Sequence, residues 1–127
     1  MLKVKLVLTN ASEKFFRDFF KVRNNRITDR FLHCGKTSFR VENLDAHHRS
    51  MDLLVREDTL PDIRKLCRRI TALYRMLKID LVILQDEGSR YLTGHLLRYY
   101  RGGESAVNLC VTSRTSNLLD AYIALKQ

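Results

Sequence analysis

In the first part of the chain, the period of the hydrophobic residues changes from two, as in a strand, to that of a helix. Over residues 2–9 lysines alternate with leucine and valine, which is the pattern of a half-buried strand. Asn10 with Glu13 three residues later forms a capping-box pattern, which predicts that a helix starts there. Apolar side chains at helical spacing predict its buried stripe (Phe15, Phe16, Phe19, Phe20 and Val22), and an Asn-Asn pair predicts its end.

A strand-rich segment follows the first helix. Residues 30–34 and 37–42 have strand patterns, and the Gly-Lys pair between them predicts either a turn or a bulge. The acidic stretch 43–48 is predicted to be a loop. Residues 49–56 alternate again, so that Asp52 is expected on a solvated face, opposite the apolar side chains of the same strand.

The clearest helix start of the sequence lies near residue 60. Thr59 with Asp62 forms a capping pattern, and Pro61 suits the first helical turn. An apolar stripe of five turns predicts a long helix with one buried side: Leu60, Ile63, Leu66, Cys67, Ile70, Leu73, Tyr74 and Leu77. The nearly continuous apolar run 79–84 then predicts a central, buried strand.

The remaining elements are a third helix, a strand and a final helix. Ser89 is a candidate cap for the third helix, which Gly102-Gly103 would end. Residues 105–112 are predicted to be a strand and residues 115–125 a helix. The order through residue 85 is β-α-β-β-α-β. We therefore expect an α+β protein with a ferredoxin-like core, in which both helices cover one face of an antiparallel sheet, and a C-terminal helix-strand-helix extension.

Length and composition indicate one domain over residues 1–127. A chain of this size buries enough surface to fold without a disulfide or a metal, and no long Pro- or Gly-rich linker divides it. The three cysteines are odd in number and widely spaced, and we find neither a secretion signal nor an apolar stretch long enough to span a bilayer. These features predict reduced thiols, a cytoplasmic or nuclear location and no membrane partner.

The charge pattern adds a candidate function. The sequence has 23 Lys and Arg against 14 Asp and Glu, a net charge of +9, which favours polyanionic partners. On the long helix the cations lie opposite the apolar stripe, and the first helix repeats the pattern. The predicted nucleic-acid-binding residues are Arg64, Lys65, Arg68, Arg69 and Arg75, with Lys14, Arg17, Lys21, Arg23 and Arg26. If the two helices packed side by side, these cations would form one surface.

A second candidate surface lies at the end of the third helix. Tyr and Arg are enriched in protein interfaces, and Tyr also stacks on bases. Arg98, Tyr99, Tyr100 and Arg101 are therefore predicted to contact a protein partner, with one of the two neighbouring tyrosines exposed. A small homodimeric assembly protein that binds an acidic protein is accordingly the alternative function.

Motifs for catalysis and cofactors are weak. Gly35-Lys36-Thr37 resembles the end of a phosphate-binding loop, but Arg30 occupies the position of the first glycine that such a loop needs. The histidines and cysteines lack the short paired spacing of zinc sites, so no metal or cofactor is expected. A metal-dependent nuclease is the third hypothesis, based on the carboxylates Glu42, Asp45, Asp52, Glu57, Asp58 and Asp80.

The leading hypothesis is a nucleic-acid-binding module without enzymatic activity. RNA is favoured slightly over DNA. The sequence contains no helix-turn-helix, zinc-finger or basic-zipper pattern, so sequence-specific DNA reading is not expected, and the paired aromatics of the common RNA-recognition sheet are also missing. Guanidinium groups, which predominate among the predicted contacts, fork onto phosphate oxygens and stack on bases.

Overall fold

The computed structural model describes residues 1–23, 26–27, 31–73, 76–85, 87–100, 106–113 and 123. The strands are β1 (Leu2–Leu8), β2 (Val22–Arg23), β3 (Arg26–Ile27), β4 (Phe31–Cys34), β5 (Thr37–Asp45), β6 (Ser50–Val55), β7 (Ile79–Leu84) and β8 (Val107–Thr112). The α-helices are α1 (Glu13–Phe19), α2 (Leu60–Leu73) and α3 (Arg90–Tyr99), and a short 3-10 helix, Glu87–Ser89, precedes α3.

Six strands form one mixed sheet in the order β4-β5-β6-β1-β7-β8, and β2 and β3 form a separate two-stranded hairpin. The pairs from β4 to β7 are antiparallel, whereas β7 and β8 are parallel. The α+β class is therefore confirmed. The ferredoxin-like arrangement is not, since the sheet has six strands rather than four and includes a parallel pair.

One face of the sheet carries an apolar core that the helices cover. Leu2, Val4, Leu6 and Leu8 of β1 lie in register with Met51, Leu53 and Val55 of β6 and with Ile79, Leu81 and Ile83 of β7. These strand residues share one core with buried side chains from all three helices, among them Phe16 of α1, Ile70 of α2 and Leu96 of α3. The predicted central position of strand 79–84 is confirmed, because β7 lies between β1 and β8.

The first helix begins two residues later than the capping pattern predicted. Ser12 is the N-cap, and its hydroxyl accepts a hydrogen bond from the backbone N–H of Phe15 at 3.0 Å. Asn10 instead donates its amide to the carbonyl of Met76 at 3.1 Å, which ties this loop to the segment before β7. The helix ends at Phe19, before the predicted end at residues 24–25, and Val22, which was predicted on its apolar stripe, lies in β2.

The second helix begins where the sequence predicted and ends earlier. Its predicted stripe is buried from Leu60 to Ile70, but Leu73 is 64% exposed, which corrects its assignment to the core. At the other end the Thr59 hydroxyl bonds the backbone of Arg56, and Thr37 on β5 donates to the Asp62 carboxylate. Leu77 is buried beyond the helix, and Tyr74 lies outside the described residues.

Of the three strands predicted between α1 and α2, β5 is longer than predicted, whereas β4 and β6 lie within their predicted ranges. Gly35 takes a positive φ of 62° in the turn that joins β4 to β5, so the Gly-Lys pair forms a turn and not a bulge. Strand β5 continues to Asp45 through residues predicted to be a loop, and its pairing with β6 is irregular between Glu42 and Asp45. Asn43 adopts a positive φ of 48° within this irregular stretch.

The centre of the sheet face opposite the helices is also buried, which overturns the solvated position expected for Asp52. Asp52 is 1% exposed and lies beside Lys5, which is 2% exposed, with 2.6 Å between Lys5 Nζ and Asp52 Oδ1. Asn43 donates to the other carboxylate oxygen at 2.9 Å. The alternation that places leucines on the helix side of β1 thus places a buried lysine on the other side.

The C-terminal part agrees with prediction as far as it is described. Ser89 precedes α3 as expected, although its side chain makes no capping hydrogen bond. Strand 105–112 is confirmed as β8, and it pairs with β7 from Ile79↔Val107 to Leu84↔Thr112. The predicted final helix, 115–125, lies outside the described residues except for Ile123.

Candidate nucleic-acid interface

The cations of α2 lie on its outward side because its inward side packs in the core. The buried residues recur at spacings of three and four: Leu60, Ile63, Leu66, Cys67 and Ile70. Lys65, Arg68 and Arg69 are exposed on the opposite side, and Arg64 is half-buried at its margin. The spacing of the leucines and isoleucines therefore determines that these cations face outward.

The single acidic residue of α2 does little to offset these cations. Asp62 is half-buried in the first turn, where its carboxylate accepts a hydrogen bond from Thr37. Its other oxygen lies 3.5 Å from Lys65 Nζ, although the lysine side chain is largely exposed. A pair whose lysine is this exposed to solvent contributes little energy, so Lys65 can exchange this carboxylate for another anion.

The third helix lies beside α2 and extends its basic surface. Strands β6 and β7 are both antiparallel to β1, and β8 is parallel to β7, so α2 and α3 each connect parallel strands. Two such connections place their helices side by side in the same direction, and α2 does contact α3. The sequence of α3 contains no Asp or Glu, and its Arg90 and Arg98 are exposed.

A stripe on the outward side of α3 combines an aromatic ring with an arginine. Tyr91, His95 and Arg98 follow one another at spacings of four and three, opposite the buried Thr93 and Leu96. Tyr91 is 64% exposed, and its ring meets that of His95 edge to face with 4.3 Å between centroids. The stripe therefore offers a flat aromatic surface beside the basic side of α2.

The cations predicted around α1 have varied positions. Lys14 and Lys21 are exposed, whereas Arg17 is half-buried and forms an ion pair with Glu13 at 3.0 Å. Arg23 and Arg26 lie in the β2–β3 hairpin. Arg75 lies outside the described residues. Helix α3 contacts α2, and its position follows from the parallel pairing of β7 with β8, which no local sequence pattern encodes.

The residues predicted for a protein contact do not share one environment. Arg98 is exposed, but Tyr100 is buried in the main core, where it joins Leu96 in holding α3 on the sheet. Tyr99 is the last residue of α3, and Arg101 lies outside the described residues. Tyr100 therefore serves packing rather than an exposed contact surface.

The acidic residues considered for a nuclease are distributed over separate pairs. Glu42 lies 3.6 Å from Lys3, Asp58 lies 3.3 Å from Arg56, and Asp52 is buried with Lys5. Asp80 is buried on β7 and Glu57 is exposed. Within the described ranges, no three His, Cys, Asp or Glu side chains gather as they would around a metal ion.

Asp45 has a lowered pKa through its contact with the neighbouring histidines. Partial burial raises the pKa, but hydrogen bonds from the side chain and backbone of His48 and the charges of His48 and His47 lower it by more. The distance from His48 Nδ1 to Asp45 Oδ2 is 2.8 Å. This contact closes the turn between β5 and β6, a structural use of both side chains.

The remaining sequence motifs take ordinary structural positions. Gly35-Lys36-Thr37 lies between two strands, whereas a phosphate-binding loop leads from a strand into a helix. Cys34, Cys67 and Cys110 are free thiols, and Cys67 is buried in the stripe of α2. Among the residues that the structure describes, no helix has the length and apolar content needed to cross a membrane.

Comparison with known proteins identifies no relative of this chain. No protein-family model, no curated protein and no solved structure matches the chain.

Proposed function

We propose that this protein is a non-enzymatic nucleic-acid-binding module that holds phosphates on the outward side of α2. The observation that carries the proposal is the exposure of Lys65, Arg68 and Arg69 on one side of a helix whose only carboxylate is engaged at its first turn. The neighbouring helix α3 adds Arg90 and Arg98 and no acidic residue.

The energetics of the isolated helix favour a binding role for this arrangement. Arg64 and Arg68 are four residues apart, as are Lys65 and Arg69, and like charges at this spacing repel by a few tenths of a kcal/mol per pair. Glutamate at one position of each pair would instead add a favourable interaction. A polyanion that neutralises the cations removes the repulsion and releases its own condensed counterions.

The proposal includes three finer points. RNA is favoured over DNA, since arginines that contact a backbone can also stack on unpaired bases. The α1–α2 layer and strands β5, β6, β1 and β7 are proposed to be a ferredoxin-like unit, extended by β4 and β8 at its edges. A cytoplasmic or nuclear location follows from the nucleic-acid partner and suits three free thiols.

A binding assay with three probes tests the function. Wild-type protein is titrated with a single-stranded RNA, duplex DNA and polyglutamate over a series of salt concentrations. We expect binding to nucleic acid that weakens linearly on a plot of log affinity against log salt, with weaker binding to polyglutamate. Tighter binding to polyglutamate would replace the proposal with the acidic-protein partner. Binding to none of the probes at low salt would contradict both.

A further inference from the structure

The exposed ring of Tyr91 is the least expected feature of the basic surface. A tyrosine that only completes a core buries its ring, as Tyr100 does on the same helix. Tyr91 is 64% exposed in the first turn of α3, on the side opposite the core. Its ring is nevertheless held in place, because it meets the ring of His95 with an interplanar angle of 68°.

We propose that Tyr91 is a base-stacking position, and that the ligand of the surface formed by α2 and α3 is single-stranded nucleic acid. This inference rests on the proposed function. An exposed aromatic ring on a helix with exposed arginines gains most from an unpaired base, which supplies a flat face to the ring and phosphates to the arginines. In a duplex the bases are already stacked on one another, so no base face is available to the ring.

The positions along the two helices fit a strand that crosses both. Tyr91 and Arg98 are seven residues apart on α3, a separation of about 10 Å along the axis, so they reach different nucleotides. The cations of α2 lie on the adjacent helix, which runs in the same direction. Because the Tyr91 ring already packs against His95, stacking a base on it costs little conformational entropy.

The test uses Tyr91→Ala with three probes of equal length: oligouridylate, an abasic oligonucleotide and an RNA duplex. We expect the affinity for oligouridylate to fall about 5- to 150-fold, the range measured for removal of a stacking aromatic. The affinities for the abasic and duplex probes should not change, because both bind through phosphates alone. Tyr91→Phe keeps the ring and should bind oligouridylate like the wild type.

A matched control is Phe31→Ala, which removes another partly exposed ring (45% exposed) from the edge strand β4. Its affinity for all three probes should equal that of the wild type. Unchanged oligouridylate binding by Tyr91→Ala overturns the stacking inference, and so does an equal loss on all three probes, which would indicate a change in the fold.

The variant Arg68→Gln/Arg69→Gln separates this inference from the function on which it rests. If it weakens binding of every probe while Tyr91→Ala weakens none, the phosphate-binding function stands and the stacking position is wrong. If both variants bind all probes like the wild type, both proposals are wrong.

Discussion

Positive charges are arranged differently on the two sides of the sheet. On the face opposite the helices, cations are close to carboxylates: Lys5 to Asp52 at 2.6 Å, Lys3 to Glu42 at 3.6 Å and Arg40 to Glu42 at 4.0 Å. On the helix side, α2 carries four cations and one carboxylate, and α3 has two arginines and no carboxylate. The first arrangement neutralises charge within the fold, and we propose that the second meets an anionic partner.

This difference depends on which side of α2 faces the sheet. A charged residue at one buried position of the helix tests that orientation. Ile70 is completely buried, so Ile70→Asp places an unpaired charge in the core and should lower the free energy of unfolding by about 4 kcal/mol or more. Leu73→Asp, at the exposed end of the same helix, should leave the urea midpoint nearly unchanged. Similar midpoints for the two variants would mean that α2 faces the sheet through another side.

The buried ion pair on the opposite face gives the next largest effect. Asp52→Leu leaves the Lys5 charge buried without its partner and should destabilise the protein by about 3–5 kcal/mol. The double variant Lys5→Met/Asp52→Leu removes both charges and should recover most or all of that loss in urea denaturation.

The surface pair of Arg56 and Asp58 is the control for this cycle, because both side chains are largely exposed. Asp58→Leu should barely move the midpoint. If Asp52→Leu changed the midpoint equally little, the Lys5 side chain would be able to reach solvent. The Lys5 charge would then not depend on Asp52 for its neutralisation.

A smaller effect is expected at Gly94, in the middle of α3. A Cβ atom added there meets nothing within 4 Å, so Gly94→Ala should stabilise the protein by about 0.5–1 kcal/mol through helix propensity. Thr93→Ala, at the neighbouring buried position, should instead lower the free energy of unfolding by about 1 kcal/mol, since the Thr93 hydroxyl donates a hydrogen bond to the carbonyl of Ser89. Thermal melting distinguishes the two. Destabilisation by Gly94→Ala would show that this side of α3 is covered.

Hydrophobic spacing predicted the elements of the fold well where one side of an element is apolar. The stripe of α2 and the leucines of β1 specify a helix side and a sheet face, because each period leaves one consistent orientation. The same reasoning misplaced Asp52, since a polar residue in an alternating strand is expected in water. Its burial depends on Lys5, a residue 47 positions away in sequence that only strand pairing brings near.

The candidate site was predictable in part for a related reason. Lys65, Arg68 and Arg69 point outward as expected, because their position follows from the apolar stripe on their own helix. The contribution of α3 was missed, since it depends on a parallel pairing of β7 and β8 that no local pattern encodes. The exposure of Tyr91 follows from which side of α3 the core uses.

The salt dependence of nucleic-acid binding in two charge-matched variants tests the central claim most directly. Arg68→Gln/Arg69→Gln removes two cations from α2 with little effect on helix stability, and Lys3→Gln/Arg40→Gln removes two from the opposite sheet face. The slope of log affinity against log salt should shrink by about two units in the first variant, one for each lost phosphate contact, and stay at the wild-type value in the second. Equal slopes in the two variants, both folded, would contradict a binding surface on α2.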